Sequence, residues 1–465
     1  MKLHIFEKQG IFCCLFALAG FVMVACEDEP DKYEVADGVP TVRYIRSPYA
    51  ASSDSLITAA TTGSTICLVG ENLRSIYELY FNDQQAILNN SYMTDNTVLV
   101  DVPQTIPGEV SNKIYMKTRD GQTVEYDFSV TVPAPTVTGM SCEYAPIGSE
   151  VTITGNYFVD DPNVPLEVIF PGNVPVTEFT NISQSSISFI MPECVEEGTV
   201  DVTTIYGTTT SSFHYLDTRG MLFDFDGMTG LGNHGWHARD ILSDETSITG
   251  NFVRLGDGAT TMSADGGWND SQFAFEYWCG SWDTPQNVTS GDGIALFNMV
   301  DFTDYENMAL KFELYIPTSN PWKAGAMQIA FEGYDLVTYS GNPIEGYSNV
   351  AAPNAYAFNG ESGNAGSFGR ALYRPWTTTG SYDTGDQWLT VTIPFSDFVY
   401  DYVGAAATAF PDSAEDFASL TIFVVGGGIS GTECTPLFKI DNIRAVSYNN
   451  LSVKIYRSID TLLSL

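Results

Sequence analysis

Two stretches of the sequence, GSTICLVGENL at 63–73 and GSEVTITGNYF at 148–158, follow one pattern. In each, a Gly-Ser turn leads into a short alternating run that ends at a glycine. Matching segments flank both stretches: PTV at 40–42 and 135–137 before them, LVDVP at 99–103 and SFIMP at 188–192 after them. Each copy spans about 90 residues, the size of a small Greek-key sandwich. The first half of the chain therefore predicts two tandem β-sandwiches.

The second half of the chain also consists of strand-like runs, among them MQIAFEG, WLTVTIP and LTIFVVG, separated by Gly, Asn, Asp and Pro turns. Helical periodicity is nearly absent, which favours sandwiches or barrels. We expect one large all-β domain over 218–447, most simply a two-sheet jelly roll. Its last strand is predicted at FKIDNIRAV, with Ile440 and Ile443 facing inward.

The predicted domain borders follow from these patterns. The two sandwiches are expected at 39–133 and 134–217, joined by a stiff proline linker, VPAPTV at 132–137. The large domain follows at 218–447, and residues 448–465 form a tail without turn signals of its own.

The N-terminus predicts export. Lys2 and Lys8 precede an apolar run at 11–25, which is short for a membrane span and typical of a signal peptide. The run ends at VMVAC, which resembles a bacterial lipobox in which Cys26 becomes the lipidated first residue. The signal peptide would then cover 1–26, and an acidic linker would cover 27–38. The alternative is an ordinary cleaved signal with an unlipidated cysteine.

The charge of the chain limits its partners. Lys and Arg number 20 against 57 Asp and Glu, a formal net charge of -37. Such a surface repels nucleic acid and anionic lipid headgroups and accepts a neutral ligand more easily than an anionic one. The cysteines show no CxxC spacing, so we expect no metal site and no cofactor.

Enzyme motifs are missing from the sequence: there is no GxSxG, no HExxH and no phosphate loop. Two carboxylates could still hydrolyse a glycoside, and Glu276, Glu313 and Glu332 lie in strand-like segments. With 57 acids, no pair can be singled out. His234 and His237 could ligate a metal, but histidines in a Gly-rich turn more often only form hydrogen bonds.

The aromatic residues indicate a function more clearly than the acidic residues and histidines do. All seven tryptophans lie after residue 217, and indole and phenol rings stack on the apolar faces of sugar rings. In FEYWCGSW at 275–282, Tyr277 shares the inward face of a strand with Phe275, whereas Trp278 and Trp282 fall where the strand ends.

The other tryptophans separate into structural and functional candidates. Trp322 follows Pro321 in a loop, whose backbone needs water, so we expect it at the surface. Trp376 could bind a ligand or cap the core, and Trp268 is ambiguous. Trp388 and Trp236 are predicted to be structural.

These segments together resemble a known family. The repeats resemble IPT/TIG immunoglobulin-like domains, and the C-terminal motifs FDFDG, IPTSNPW, LYRPW and FKIDNIR resemble surface glycan-binding protein B. The resemblance implies an all-β chain: two immunoglobulin-like (IPT/TIG) sandwiches followed by a large jelly-roll-like β-sandwich that binds glycan without catalysis.

The resemblance also implies a cellular setting. Such proteins are lipid-anchored to the outer membrane of Bacteroidetes, exposed on the surface beside a SusC-like TonB-dependent transporter and a SusD-like protein. They capture polysaccharide on an aromatic platform, mapped here onto Trp322, Trp278 or Trp282, with Tyr277 and Trp376 as further candidates. A β-linked glycan such as xyloglucan, mixed-linkage glucan or mannan fits best. The alternatives are a glycoside hydrolase or lyase with TIG domains, and a structural adhesin that binds protein.

Overall fold

The computed structural model describes residues 38–49, 51, 54–227, 239–277, 294–332, 369–408 and 410–448. The chain forms two compact units, 1–133 and 134–465. Strands dominate the described residues, which confirms the all-β class. The exceptions are one helical turn at Asp270–Phe273 and 3₁₀ turns at Leu73–Ser75, Asn90–Tyr92, Pro171–Asn173, Leu296–Asn298, Tyr305–Asn307, Pro375–Thr377, Phe395–Asp397 and Ala414–Asp416.

The first unit contains an immunoglobulin-like sandwich. Its strands are β1 Thr41–Arg46, β2 Ala59–Thr61, β3 Thr65–Glu71, β4 Ile76–Phe81, β5 Gln84–Ala86, β6 Thr97–Asp101, β7 Lys113–Thr118, β8 Thr123–Asp127 and β9 Ser129–Thr131. One sheet has the order β1-β3-β6 and the other β5-β4-β7-β8, while β2 and β9 form a parallel pair. Alternation along β7 buries Ile114 and Met116 between the sheets, because successive side chains of a strand point to opposite faces.

A second sandwich of the same kind opens the second unit. Its strands are β10 Thr136–Met140, β11 Glu150–Asn156, β12 Glu167–Phe170, β13 Val174–Pro175, β14 Phe179–Ile182, β15 Ser186–Ile190, β16 Gly198–Thr204 and β17 Gly207–Tyr215. The sheet orders are β10-β11-β15-β14 and β13-β12-β16-β17. The order of the first sandwich thus returns, with β14 added at one edge.

The large C-terminal domain is a sandwich of two sheets. Its strands are β18 Met221–Phe223, β19 Asp240–Leu242, β20 Phe252–Leu255, β21 Ala274–Tyr277, β22 Met308–Tyr315, β23 Ala326–Glu332, β24 Ala371–Tyr373, β25 Leu389–Pro394, β26 Ser419–Val425 and β27 Phe438–Ser447. The first sheet has the order β19-β20-β27-β22-β25, with β18 also paired to β27. The second sheet has the order β21-β26-β23-β24.

The last strand confirms the sequence prediction in its position and in its burial. Ile440 and Ile443 are both fully buried in the core of this sandwich although they are three residues apart. Asn442 between them has a positive φ of 50°, and the pairing with β22 shifts register at this point. The resulting bulge brings two residues of unlike parity into the interior.

The second and third sandwiches share an apolar contact. Phe252, Tyr315 and Trp388 of the C-terminal sandwich belong to the same buried cluster as the core of the second sandwich. The indole of Trp388 lies 5.6 Å from the ring of Tyr315, and its Nε1 donates to Thr246 O at 2.6 Å. Its structural role is therefore confirmed.

Buried ion pairs also join the second sandwich to the C-terminal sandwich. Arg444 of β27 donates to Glu143 of the second sandwich at 2.7 Å and to Glu313 of β22 at 2.8 Å. Lys311 donates to the other oxygen of Glu143, and Thr390 donates to Glu313 at 2.9 Å. Glu313 thus has both oxygens bonded within a structural network. The structure therefore does not support Glu313 as the catalytic carboxylate that was considered from the sequence.

Among the described residues, no helix has the length and apolar character needed to cross a membrane.

Candidate functional site

The second sheet of the C-terminal sandwich has one face turned away from the first sheet, called the outer face below. Phe275 and Tyr277 pack inward against Phe223. Because side chains alternate along each strand, the register of β21, β26 and β23 places the residues between these on the outer face. This outer set is unusually polar for buried positions and comprises Glu276, Gln328, Glu332, Ser419 and Thr421.

Gln328 and Arg370 organise the middle of the outer face. Gln328 donates its Nε2 to Val425 O at 2.9 Å and to Tyr402 O at 3.1 Å, and its Oε1 accepts from Arg370 Nη1 at 3.0 Å. The Arg370 guanidinium lies 5.8 Å from the Tyr402 ring centroid. Burial lowers the pKa of Arg370 to about 10, so the side chain stays cationic at neutral pH.

Two carboxyl groups share this face. Glu332 accepts from Thr421 Oγ1 at 2.7 Å, and Glu276 pairs with Thr421 across the neighbouring strand. Burial, with a smaller contribution from the charge of Glu276, raises the pKa of Glu332 to about 8. Two of the three acids considered from the sequence are therefore brought together, with Glu332 protonated at neutral pH.

An aromatic pair, the exposed Trp268 and the half-buried Tyr402, borders these polar groups. The side chain of Trp268 is 47% exposed, and its ring packs edge-on against Phe423 of the outer face at 4.8 Å. The Tyr402 ring lies 6.2 Å from it. Asp265 and Asn269 flank Trp268 in the same turn. The arrangement offers ring surface next to hydrogen-bonding side chains, which is what recognition of a sugar needs.

The turn that carries Trp268 is held by close backbone contacts. Gly266 has a φ of 68°, its carbonyl accepts from Gly426 N at 2.6 Å, and a Cβ at this position would lie 2.6 Å from Gly325 Cα. Only glycine fits there, since the contacts are backbone atoms that cannot move aside. The turn therefore fixes Trp268 at the edge of the sheet.

The surface position expected for Trp322 is wrong. Its side chain is 0% exposed and packs edge-on against Phe438 at 5.1 Å, and its Nε1 donates to Ala324 O. A loop backbone ordinarily takes its hydrogen bonds from water. Instead, Trp322 and Tyr382 exchange backbone hydrogen bonds of 2.8 and 2.9 Å, so a second loop takes the place of water.

Tyr277 and Trp376 are also core residues, which corrects their assignment to the platform. Tyr277 donates its hydroxyl to Ile294 O at 2.6 Å, and its ring lies 5.0 Å from that of Phe223. Trp376 is buried in the same apolar cluster and donates its Nε1 to Gly325 O at 2.7 Å. The capping alternative for Trp376 is the one that the structure supports.

Several predicted residues lie outside the described residues: Trp278, Trp282, Trp236, His234, His237 and the lipidation candidate Cys26. Trp278 directly follows Tyr277, the last residue of β21. Its assignment and that of Trp282 stay predictions.

Sequence reasoning missed Gln328, Arg370 and Tyr402, and it left Trp268 undecided. The alternation of MQIAFE in β23 placed Gln328 and Glu332 on one face, opposite Met327 and Ile329, so this signal was available. The contribution of Arg370 and Tyr402 depends on strand pairing across the sheet and could not be read from a local pattern.

One described cluster contains side chains of the type that bind metals. Glu197, His214 and Asp217 bring their ligand atoms within 4.8 Å of one another. Both oxygens of Asp217 already accept from Arg219, at 2.7 and 2.8 Å, and Glu197 accepts from Thr218 at 2.6 Å. The carboxylates are therefore engaged in protein hydrogen bonds.

Comparison with known proteins agrees with this architecture. The model of the surface glycan-binding protein B xyloglucan binding domain matches residues 215–447. The crystal structure of a surface glycan-binding protein B from Prevotella bryantii is 44% identical, with a TM-score of 0.68, and the match covers 89% of this chain and 99% of that one.

A Bacteroides ovatus IPT/TIG domain-containing protein is 30% identical over 201 residues, which is 40% of each chain. This chain thus spans about two fifths of the length of that relative. The family match covers the whole sandwich that carries the outer face and the aromatic pair. The chain belongs to the surface glycan-binding protein B family.

Proposed function

We propose that the protein is a noncatalytic polysaccharide-binding protein of the bacterial cell surface, and that the aromatic pair Trp268 and Tyr402 forms part of its glycan site. The ligand is a neutral β-linked glycan of the xyloglucan, mixed-linkage glucan or mannan class. The family model is named for xyloglucan binding, and the Prevotella bryantii relative is a surface glycan-binding protein.

The observation that carries this proposal is the exposed Trp268 beside Tyr402 and the polar outer face. Tryptophan is highly buried on average, and a half-exposed indole next to a second ring offers a stacking surface. Extended β-1,4-linked chains present successive flat apolar faces that two neighbouring rings can cover. Asp265 and Asn269 supply hydrogen-bonding partners for the hydroxyl groups at the ring edge.

The charge of the protein favours a neutral chain over one with uronic acids. The net charge is -37, the charge of Asp401 acts on Arg370, and the charge of Asp265 acts on Tyr402. A polyanionic glycan would meet net repulsion at this surface.

Trp278 and Trp282 remain proposed stacking residues. They follow β21, which belongs to the same sheet as the outer face. In a glycan site of several subsites, they would extend the contact beyond the aromatic pair.

Lipidation at Cys26, anchoring in the outer membrane and partnership with a SusC-like transporter and a SusD-like protein are part of the same proposal. They rest on the lipobox-like VMVAC and on the family. Labelling with a fatty-acid analogue should mark the protein in a Bacteroidetes host, and Cys26→Ser should abolish the label. Co-purification with the transporter pair from solubilised membranes tests the partnership.

Affinity gel electrophoresis against xyloglucan, mixed-linkage glucan, mannan and polygalacturonan tests the binding function. We expect retardation by at least one neutral glycan, none by polygalacturonan, and a loss of about 10- to 100-fold in affinity for Trp268→Ala. Tyr77→Ala, which removes an exposed ring in the first unit, is the matched control and should bind as the wild type does. Retardation by no glycan would favour the adhesin.

The hydrolase alternative has one specific observation in its favour, the proximity of Glu276 and Glu332. Both side chains are buried, which speaks for a structural role. Reducing-sugar release from the same polysaccharides separates the two functions. Hydrolysis that disappears in Glu276→Gln or Glu332→Gln would show that the protein is an enzyme.

A further inference from the structure

A pocket opens between the two sheets at one end of the C-terminal sandwich. On the first sheet it lies where β22 begins and β25 ends, beside Asn307 and Phe395. On the second sheet it lies near the end of β23, beside Phe331. Its volume is about 570 Å³, which is in the range of sites that bind small molecules.

This pocket is separate from the aromatic pair. The turn that carries Trp268 lies against Gly325, just before β23, whereas Phe331 is close to the other end of that strand. At about 3.3 Å per residue, the two positions are about 20 Å apart. Phe331 also points to the inner side of the sheet, as Met327 does, and the outer face lies on the other side. A small molecule in the pocket would therefore not reach Trp268.

Aromatic rings form most of the pocket wall. The floor consists of four phenylalanine rings with centroid distances of 5.0–5.8 Å between neighbours: Phe331, Phe395, Phe398 and Phe417. Tyr305 packs against Phe417 at 5.2 Å and adds a fifth ring. The faces of such rings carry partial negative charge and attract cations.

A sixth ring, Phe410, lies at the mouth of the pocket with half of its surface exposed. Tyr305 donates its hydroxyl to Pro411 O at 3.2 Å, which ties this segment to the pocket wall. A Cβ at Gly369 would lie 3.0 Å from the Phe410 ring and would also meet the Phe398 carbonyl. Glycine therefore leaves the space that the Phe410 ring occupies.

The charge around the pocket is negative. Glu306 lines the pocket and is exposed, and none of the described residues in the lining is basic. Burial, with smaller contributions from the charges of Glu306 and Asp412, raises the pKa of Tyr305, so these carboxylates act on a ring of the wall. The guanidinium of Arg370 lies on the other side of the sheet, bonded to the outer face.

We propose that this pocket binds a small organic cation in which a quaternary ammonium group is attached to an apolar body. The ring faces attract the cation, and Glu306 adds a favourable charge at the mouth. A quaternary ammonium group has no N–H to donate, so it loses fewer hydrogen bonds than a primary ammonium group does among phenylalanine rings. An organic anion would be repelled by the same carboxylate and ring faces.

Calorimetric titration of the full chain with three soluble probes tests the proposal. Benzyltrimethylammonium combines the cation with an aromatic body. Choline and 3,3-dimethylbutan-1-ol share one shape and differ in whether the central atom is a charged nitrogen or a carbon. We expect saturable 1:1 binding of benzyltrimethylammonium, and choline should bind about tenfold more tightly than the neutral alcohol. No saturable binding of benzyltrimethylammonium, or equal binding of choline and the alcohol, would overturn the proposal.

Two substitutions locate the cation in this pocket. Phe410→Ala removes the ring at the mouth and should weaken benzyltrimethylammonium binding by about fivefold or more. Glu306→Gln should weaken choline binding by about threefold and leave the binding of 3,3-dimethylbutan-1-ol unchanged, because only the charge is lost. Both residues are exposed, so the melting temperature should stay within about 2 °C of the wild type.

Glu433→Gln is the matched control for the charge. Glu433 is exposed at the opposite end of the sandwich, where Thr432 N donates to Lys323 O just before β23. This variant should bind all three probes as the wild type does. If both Phe410→Ala and Glu306→Gln bind the cations as the wild type does, the pocket is not the site and the proposal is wrong.

Glycan retention keeps this test apart from the proposed function. Trp268→Ala should bind benzyltrimethylammonium as the wild type does, and Phe410→Ala should retain glycan. Loss of glycan retention in Phe410→Ala would show that the pocket belongs to the glycan site, which would overturn the assignment to a cation. Cation binding by a protein that no glycan retards would support the pocket and contradict only the proposed function.

Discussion

Replacement of Trp322 by alanine separates a core role from a platform role. The ring has no exposed surface and packs against Phe438 and Tyr373, with centroid distances of 5.1 and 6.1 Å. Removing a buried tryptophan costs about 3–5 kcal/mol, because the transfer energy is lost and a cavity remains. The carbonyl of Ala324, which accepts from Nε1, loses its partner and places the cost in the upper part of this range.

We therefore expect a large thermal effect. In a unit of this size, 1 kcal/mol corresponds to about 2 °C, so Trp322→Ala should lower the melting temperature by about 6–10 °C in differential scanning calorimetry. Trp268→Ala is the matched control in the same sandwich. Its ring is half exposed, and its removal should cost at most about 1.5 kcal/mol, or about 3 °C.

Glycan retention is the second measurement, made at a temperature below the thermal unfolding transitions of both variants. Trp268→Ala should lose retention, whereas Trp322→Ala should keep it within about twofold, since the folded fraction is unchanged at that temperature. A Trp322→Ala protein that melts within 2 °C of the wild type and no longer binds glycan would refute the reasoning, because the ring would then act at the surface.

Three other predictions follow from buried groups. Arg444→Met leaves Glu313 buried without a cation and removes one of the two cations that contact Glu143, and it should cost about 3–5 kcal/mol in urea unfolding, whereas Arg254→Ala, at an exposed ion pair, should cost less than about 1 kcal/mol. The Glu332 carboxyl has its pKa raised to about 8 by burial, and in the unfolded chain it ionises near 4.5, so the native state holds the extra proton between these values and stability falls as pH rises. Glu332→Gln removes that loss and should gain up to about 4 kcal/mol relative to the wild type between pH 5 and pH 8. An equal pH dependence of the unfolding free energy in the two proteins would contradict the raised pKa. Gly266→Ala meets backbone atoms at 2.6 Å and should cost at least about 2 kcal/mol more than Gly380→Ala, which has a similar φ in open space, and should also weaken glycan retention.

The local pattern of the sequence determined the fold class and the sandwich repeats. Alternation of apolar and polar residues has the period of a strand, and this period does not depend on the rest of the molecule. The duplicated GSTICLVGENL and GSEVTITGNYF segments became β3 and β11, which hold equivalent positions in their sheets. The C-terminal motifs were long enough to indicate the family.

The roles of individual aromatic residues could not be decided in the same way. Trp322 and Trp376 both follow a proline in loop sequence, where exposure is the ordinary expectation, yet both are core. Trp268 lies in an equally loop-like GGWND segment and is half exposed, unlike the other three tryptophans that the structure describes. The difference comes from what packs over each ring, and those neighbours are distant in the sequence.

The sequence by itself determined that this chain is a string of β-sandwiches with an acidic surface and a tryptophan-rich last domain, because composition and alternation are local properties. Only the tertiary structure decided that Trp322 is core and that Gln328, Arg370 and Tyr402 meet on one face. Each of these depends on pairing between segments tens of residues apart. Burial is a property of such contacts, since a loop backbone bonded to another loop, as at Trp322 and Tyr382, no longer needs water.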